Sequence, residues 1–170
     1  MTADKPKTPA TTEHAILITR VFNAPRELVW RAWTQPEHVE KWFGPKGFST
    51  TVEKQELRVG GRSRFVMHGP DGKDYPCEGT YLELVPMERI VTTDEFAEDF
   101  ENATGTDLPA GIILTVLFED VGDDAAKTRV TLRIQHPTAE EKKKHEDMGV
   151  VGGWNSTLDC LEEQLAAMQA

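Results

Sequence analysis

The sequence predicts an α+β fold, in which an antiparallel sheet of about six to seven strands packs against a long C-terminal helix. The predicted elements run in the order strand, two short helices, about six strands and one long helix. Tight-turn signals separate the strands, so neighbouring strands pair as hairpins, which excludes a doubly wound parallel sheet. The last predicted helix carries an apolar stripe of the width expected of a helix that lies on a core.

The length of 170 residues suits one domain with a buried core. We expect residues 1–14 to form a disordered tail, because they contain no apolar run, and residues 15–170 to form the single domain. No apolar stretch approaches the ~18 residues that a membrane span needs, so we expect no membrane insertion. Cys77 and Cys160 match no zinc-binding spacing, which favours reduced thiols in a cytoplasmic protein.

The charge balance argues against nucleic acid as a partner. Lys and Arg together number 19 and Asp and Glu number 29, which gives a formal net charge of −10. A chain this acidic repels phosphate groups and anionic lipid heads. The one run of cations, Lys142–Lys144, lies between acidic residues, and we expect it to form a solvated helix face.

The first element is a strand, Ala15–Phe22, because its residues are mainly apolar or β-branched. A short helix follows, for which we expect Asn23 as the N-cap and Pro25 in the first turn. A second short helix is predicted to begin at a capping box that Thr34 forms with Glu37. This helix ends where a Gly-Pro pair follows two large aromatic residues.

The central part of the chain predicts six strands. Gly60 and Gly61 suit the positive φ angles of a tight hairpin turn, and Pro70 suits the first central position of another turn. In the last strand apolar and polar residues alternate, as in a sheet with one buried and one solvated face. The predicted strands are FSTTVEKQELRV, RSRFVMH, YPCEGTYLEL, ERIVTTDEF, GIILTVLFE and KTRVTLRIQ.

The chain closes with a predicted long helix, which begins at a capping box formed by Thr138 and Glu141. Gly149, Gly152 and Gly153 lie inside it, and a glycine there costs about 1 kcal/mol relative to alanine. The glycines therefore indicate a close approach to the sheet, room for a ligand beside the helix, or simply a kink. The apolar stripe consists of Val150, Val151, Trp154, Leu158, Leu161, Leu165 and Met168.

Three segments of the chain resemble a known protein family. They are RVFNAPRELVWRAWTQPEHVEKWFGPKGF, GGRSRFVMHGPDGKDYPCEGTYLELVPMERIV and TAEEKKKHEDMGVVGGWNSTLDCLEEQL. They look like the activator of heat-shock protein 90 ATPase homologue family, of the START/Bet v 1-like superfamily, over the range Ile16 to Leu165. The resemblance implies a helix-grip fold, in which a curved antiparallel sheet wraps the C-terminal helix and leaves an apolar cavity. The acidic loop from Asp94 to Asp107 and the pair Gly152-Gly153 inside the helix depart from the family pattern.

The implied cavity gives the aromatic pair before the Gly-Pro sequence a possible role. In that layout the two short helices close one end of the sheet, so Trp42 and Phe43 would sit where the cavity opens. Gly44 and Pro45 would turn the chain away from the mouth. The alternative is that both rings only fill the end of the core. The ligand-binding residues that the layout implies are Trp33, Trp42, Phe43, Met67, His68, Tyr81, Met148, Gly152, Trp154 and Leu158.

The sequence shows no catalytic or metal-binding constellation. Its five histidines have no HxxxH or HxH spacing. We expect His68 near the cavity, and we expect His136 and His145, beside the cap of the last helix, to be solvated. The acidic loop lacks the residue order of a calcium loop and is predicted to be solvated surface. We therefore expect neither a metal nor a cofactor.

Three functions are compatible with these patterns. The one we favour is a cytoplasmic binding protein, not an enzyme, that holds a small apolar or aromatic molecule between the sheet and the C-terminal helix. The second is a co-chaperone that stimulates the heat-shock protein 90 ATPase, the role after which the family is named. The third is a cyclase or hydrolase of a polyketide-like substrate, with His68, Glu78 and Tyr81 as candidate groups. The expected partner is thus a small apolar molecule or a chaperone, and the expected state is a monomer or homodimer.

Overall fold

The computed structural model describes residues 14–100 and 108–170. These residues form a helix-grip fold, in which one antiparallel sheet packs against the C-terminal helix, as predicted. The strands are β1 (Ala15–Phe22), β2 (Ser49–Gln55), β3 (Arg62–His68), β4 (Asp74–Val85), β5 (Arg89–Phe96), β6 (Ile112–Val121) and β7 (Asp124–Gln135). The helices are α1 (Arg26–Thr34), α2 (Pro36–Trp42), α3 (Ala139–Asp147) and α4 (Val150–Met168).

The sheet has the strand order β1-β7-β6-β5-β4-β3-β2, and every neighbouring pair is antiparallel. Consecutive strands from β2 to β7 therefore pair as hairpins. Strand β1 pairs with β7 and forms one edge of the sheet, and β2 forms the other edge. The register shifts between Val52 and Lys54 and between Tyr81 and Glu83. Irregularities of this kind bend a strand and increase its twist, which suits a curved sheet.

The core lies between the sheet and the helices. Leu158 and Leu161 on α4 are fully buried, as are Leu132 and Ile134 on β7. Burying one such side chain contributes roughly 1.5–3 kcal/mol, so the packing of α4 on the sheet accounts for much of the hydrophobic stabilisation. Val151, a member of the predicted stripe, is instead 44% exposed in the first turn of α4.

The predicted long C-terminal helix is two helices. Gly149 lies between α3 and α4 with φ +82°, a left-handed conformation that an L side chain rarely adopts and that ends the first helix. The predicted cap at Thr138 is confirmed, since its hydroxyl accepts from the Glu141 amide. The Glu141 carboxylate accepts a hydrogen bond from the Ala110 amide of the loop before β6.

Two predicted helix caps and one predicted turn are wrong. The N-cap of α1 is Pro25, not Asn23, and it has no side-chain hydrogen bond. The N-cap of α2 is Gln35, not Thr34. Thr34 ends helix α1, where its hydroxyl donates to the carbonyl of Trp30. Strand β2 ends before residue 56, so residues 56–61 form a loop to β3 in place of a two-residue turn.

Most of the predicted N-terminal tail and part of the predicted acidic loop lie outside the residues that the structure describes. These are residues 1–13 of the tail and residues 101–107 of the loop. The carbonyl of His14 accepts hydrogen bonds from the His136 amide at 3.1 Å and from its Nδ1 at 2.8 Å.

Among the helices of residues 14–100 and 108–170, none is long and apolar enough to span a membrane.

Candidate functional site

Two chambers lie between the sheet and the helices. The larger chamber, of about 220 Å3, is bounded by strands β3 to β6, by the loop after α2 and by the junction of α3 with α4. The smaller chamber, of about 70 Å3, lies between α1, α2 and the same strands. Four residues line both chambers: Phe43, Cys77, Asp94 and Leu114.

The loop after α2 forms one edge of the larger chamber. Phe43, Gly44 and Pro45 all line it. Gly44 has φ +111°, and a Cβ atom there would lie 3.2 Å from the Thr50 hydroxyl oxygen, so only glycine fits without strain. The Thr50 hydroxyl donates to the Phe43 carbonyl and ties the loop to β2. The Gly-Pro pair therefore turns the chain sharply and leaves the Phe43 ring on the chamber wall.

A cluster of rings connects the two chambers. Trp33 on α1 stacks on Trp154 on α4, with ring centroids 6.1 Å apart and an interplanar angle of 19°. Phe43 meets Trp154 edge to face at 6.0 Å and meets Phe65 of β3 at 5.1 Å. Stacked and edge-to-face contacts of this kind are the favourable geometries for pairs of aromatic rings. Trp33 lines the smaller chamber, Trp154 the larger one and Phe43 both, so the cluster lies where the two chambers meet.

Trp42 belongs to the core more than to the chamber mouth. It is 2% exposed, and its Nε1 donates to the Ala32 carbonyl at 2.8 Å. Its neighbour Trp33 is 8% exposed, yet its Nε1 has no hydrogen-bond partner among the described residues. A buried indole N–H normally finds an acceptor, so Trp33 leaves one donor unsatisfied in the wall of the smaller chamber.

Asp94 is a carboxylate without a counter-ion in the chamber wall. It lies on β5 and lines both chambers, and no hydrogen bond or ion pair involves its side chain within the described residues. Burial, with a smaller contribution from the charge of Glu95, raises the pKa of Asp94 to about 6. The Cys77 thiol beside it also has a raised pKa, because of burial and then of the Asp94 charge.

The carboxylates on the outer face of the same strands are paired. Glu95 accepts from Arg62, and the pKa of Glu95 is lowered by its bond from Thr93 and by Arg62. Glu78 accepts from Arg64 at 2.9 Å and pairs with Arg62 at 3.4 Å. Asp94 therefore differs from its neighbours in lacking a partner.

Two histidines form a buried pair at the end of the larger chamber. His136 Nε2 and His145 Nδ1 are 3.0 Å apart, and both residues are buried. Burial lowers the pKa of His136, and burial followed by the neighbouring His136 lowers the pKa of His145 to about 4. Both rings are therefore neutral near pH 7, which contradicts the prediction that they are solvated.

The hydrogen bonds of this pair fix which nitrogen carries each proton. The His14 carbonyl can only accept, so His136 Nδ1 donates to it and His136 Nε2 is the bare nitrogen. His145 Nδ1 must then donate to His136 Nε2. His145 Nε2 is left as a hydrogen-bond acceptor without a partner in the described chain, on a residue that lines the larger chamber.

Seven of the ten residues expected around a cavity line one of the chambers. They are Trp33, Trp42 and Tyr81 in the smaller chamber, Met67, Met148 and Trp154 in the larger one, and Phe43 in both. Leu158 is fully buried in the core, and Gly152 is exposed on α4. His68 lies outside both chambers, where its ring is hydrogen-bonded to Thr51 at 2.9 Å and to Asp74 at 2.8 Å.

The sequence interpretation missed Asp94 and assigned it to a solvated acidic loop. The signal was present, because Ile90, Thr92, Asp94 and Phe96 alternate along one strand and so share one face. Ile90 is buried, and all four line a chamber. His145 was also missed, and no local pattern reveals it.

The three candidate catalytic groups do not converge. His68 faces away from the chambers, and the Glu78 carboxylate is held by two arginines although the residue borders the smaller chamber. Tyr81 is buried, and its hydroxyl accepts from Gln55 Nε2 at 3.2 Å. Across residues 14–100 and 108–170, no three His, Cys, Asp or Glu side chains are grouped as a metal site would require.

Comparisons with known proteins agree with this architecture. A protein of Nitrosomonas europaea, solved by X-ray crystallography, is 30% identical with a TM-score of 0.76, over 91% of this chain and 96% of that one. A solution structure from Staphylococcus epidermidis is 32% identical with a TM-score of 0.73, over 99% and 95%. One from Arthrobacter aurescens is 25% identical with a TM-score of 0.81, over 94% and 90%.

The similarity to solved structures is accompanied by a match at the level of a sequence family. A search of curated proteins finds no significant match. The profile of the family described as "Activator of Hsp90 ATPase homolog 1-like protein" matches residues 23–166. That range includes both short helices, strands β2 to β7 and nearly all of α4. The chain therefore belongs to the activator of Hsp90 ATPase homolog 1-like family.

Proposed function

We propose that this protein binds a small apolar or aromatic molecule in the cytoplasm, with the larger chamber as the binding site. The observation that carries the proposal is a ring-lined volume of about 220 Å3 between the sheet and α4. An apolar cavity of roughly 150 Å3 is enough to hold benzene, so the chamber suits a molecule of one ring with a short chain. Both cysteines are free thiols, as expected in a reducing compartment.

The wall chemistry favours an apolar guest over a polar one. Rings from Phe43, Phe96 and Trp154 and the thioethers of Met67 and Met148 make up much of the lining. Aromatic faces and flexible thioethers adapt to flat or flexible hydrocarbon groups. A few polar groups among such walls are typical of sites that orient a small ligand.

Two adjacent glycines on α4 supply a matched test. Gly153 lines the larger chamber and Gly152 does not, and a Cβ atom added to either would meet nothing within 4 Å. The open space at Gly153 excludes close approach to the sheet as the reason for that glycine. A side chain at Gly153 would enter the chamber, whereas the same side chain at Gly152 would stay outside it.

The experiment compares Gly153→Leu with Gly152→Leu. Both changes improve helix propensity by a similar amount, about 1 kcal/mol, so both variants should stay folded. The probes are two neutral molecules, 3-phenylpropan-1-ol and octan-1-ol, measured by isothermal titration calorimetry. Native mass spectrometry of protein isolated from its own host would look for a retained ligand in parallel.

Loss of probe binding in Gly153→Leu, with binding retained in Gly152→Leu, supports the proposal. Equal affinity of the two variants and the unaltered protein contradicts it. A chaperone as the partner, the alternative from the family name, predicts a different result. In that case the protein would stimulate the ATPase of the host's heat-shock protein 90, and Gly153→Leu would stimulate it equally well.

A further inference from the structure

The larger chamber contains acceptor groups that its own walls do not satisfy. Asp94 has no hydrogen bond or ion pair within the described residues, and His145 Nε2 has no partner there either. The lining includes no Lys or Arg among the residues that the structure describes. An unpaired carboxylate is costly to bury, so a carboxylate kept in an apolar wall is a candidate for pairing with a ligand.

We propose that the larger chamber binds an apolar amine, whose ammonium group pairs with Asp94 while its hydrocarbon part lies among Phe43, Phe96 and Trp154. This inference rests on the proposed function, because it assumes that the chamber takes a ligand. An ammonium group has three N–H donors. Asp94 can accept one of them, and His145, whose Nε2 is a bare acceptor, lines the same chamber from helix α3.

The electrostatics of the whole chain favour a cation. The formal net charge is −10, which raises the local concentration of positively charged molecules and speeds their association. The rings add a cation–π attraction for an ammonium group that approaches their faces. A ligand of the same size that carries a carboxylate would instead be repelled by the Asp94 carboxylate, because no cation among the described lining residues offsets the two negative charges. We therefore expect fatty acids and aryl carboxylates to bind poorly.

The ionisation of Asp94 fits this assignment at neutral pH. Because the pKa of Asp94 is about 6, the free protein already carries the carboxylate near pH 7.5. A bound ammonium group would stabilise that charge further. The neutral state of His145, whose pKa is lowered to about 4, keeps its Nε2 available as an acceptor at the same pH.

The test uses three probes with one carbon skeleton: 3-phenylpropan-1-amine, 3-phenylpropan-1-ol and 3-phenylpropanoate. Calorimetry near pH 7.5 should give an affinity at least ten-fold higher for the amine than for the alcohol, and the weakest binding for the carboxylate. Asp94→Asn should reduce the preference for the amine over the alcohol to about two-fold or less. It should leave the affinity for the alcohol within about three-fold of the original.

Glu95→Gln is the matched control, because it removes one negative charge from the next residue of the same strand. Glu95 faces Arg62 and lines neither chamber, so the preference for the amine should persist. Equal affinities for amine and alcohol in the unaltered protein would overturn the amine inference and leave the proposed function intact. A preference that persists in Asp94→Asn would overturn the role of Asp94. Failure of all three probes to bind would overturn both proposals.

Discussion

Replacing Asp94 by asparagine should stabilise the folded protein at neutral pH. The carboxylate has no partner in the described chain, and burial raises its pKa from 3.8 to about 6. A rise of this size corresponds to about 3 kcal/mol by which the folded state disfavours the ionised form. Because Asp94 keeps some contact with solvent, we expect Asp94→Asn to raise the free energy of unfolding by about 2–3 kcal/mol.

The pH dependence of this gain follows from the direction of the pKa change. The folded state binds the Asp94 proton more tightly than the unfolded state does, so the penalty is complete above about pH 6. As the pH falls from about 6 to 3.8, the folded protein takes up the proton first and the penalty disappears. The advantage of Asp94→Asn should therefore fall to about half near pH 5 and vanish below pH 3.8.

Urea unfolding, followed by tryptophan fluorescence near pH 7.5, 5 and 3.8, measures this difference directly. Glu95→Gln is again the control, because hydrogen bonds from Thr93 and Arg62 lower the pKa of Glu95. That variant should be less stable than the unaltered protein near pH 7.5, which is the opposite sign. An Asp94→Asn protein that is no more stable near pH 7.5, or whose difference does not change with pH, would refute the reasoning.

Further changes test the core, the helix junction and the histidine pair by the same unfolding measurement. Leu161→Ala, in the fully buried core, should cost about 2–5 kcal/mol, whereas Val151→Ala at a 44% exposed position should cost less than about 0.5 kcal/mol. Gly149→Ala forces a left-handed alanine and should cost about 1–2 kcal/mol, whereas Gly152→Ala in open helix should gain about 0.5–1 kcal/mol. Because burial disfavours the protonated imidazole, His145, with its pKa of about 4, should lower the free energy of unfolding by about 3 kcal/mol as the pH falls from 6.5 to about 4. His145→Gln in the Asp94→Asn background should remove that acid sensitivity.

The fold could be predicted because it is encoded in local periodicity. The alternating strands, the turn at Pro70 and the apolar face of α4 each depend on residues close in sequence. The break at Gly149 was harder to predict, because glycine also occurs inside helices. Only the left-handed φ angle, which the chain context imposes, decides between a weakened helix and two separate ones.

The candidate site was predicted in part, and the missing part has a physical reason. The rings at Trp33, Phe43 and Trp154 follow from the layout, since large apolar side chains near the sheet end must face inward. The many acidic residues around Asp94 predict a solvated loop. Asp94 nevertheless lies an even number of residues from Ile90 on the same strand, which places both on the buried face of the sheet. His145 could not be found from a local pattern, because its burial depends on the fold of α3 over the end of β7.

Two locally costly residues and a break in the C-terminal helix meet at the larger chamber. Asp94 is left unpaired while carboxylates on the other face of the strands, such as Glu78, have arginine partners. Gly149 interrupts the C-terminal helix, and Gly153 weakens it where a side chain would fit without a clash. Proteins keep locally unfavourable features mainly where function requires them. Each of the three either opens this volume or adds a polar group to its wall. The cost at Asp94 would be removed by asparagine, and the cost at Gly153 by alanine. Their meeting at one chamber therefore supports a binding role on grounds independent of family membership.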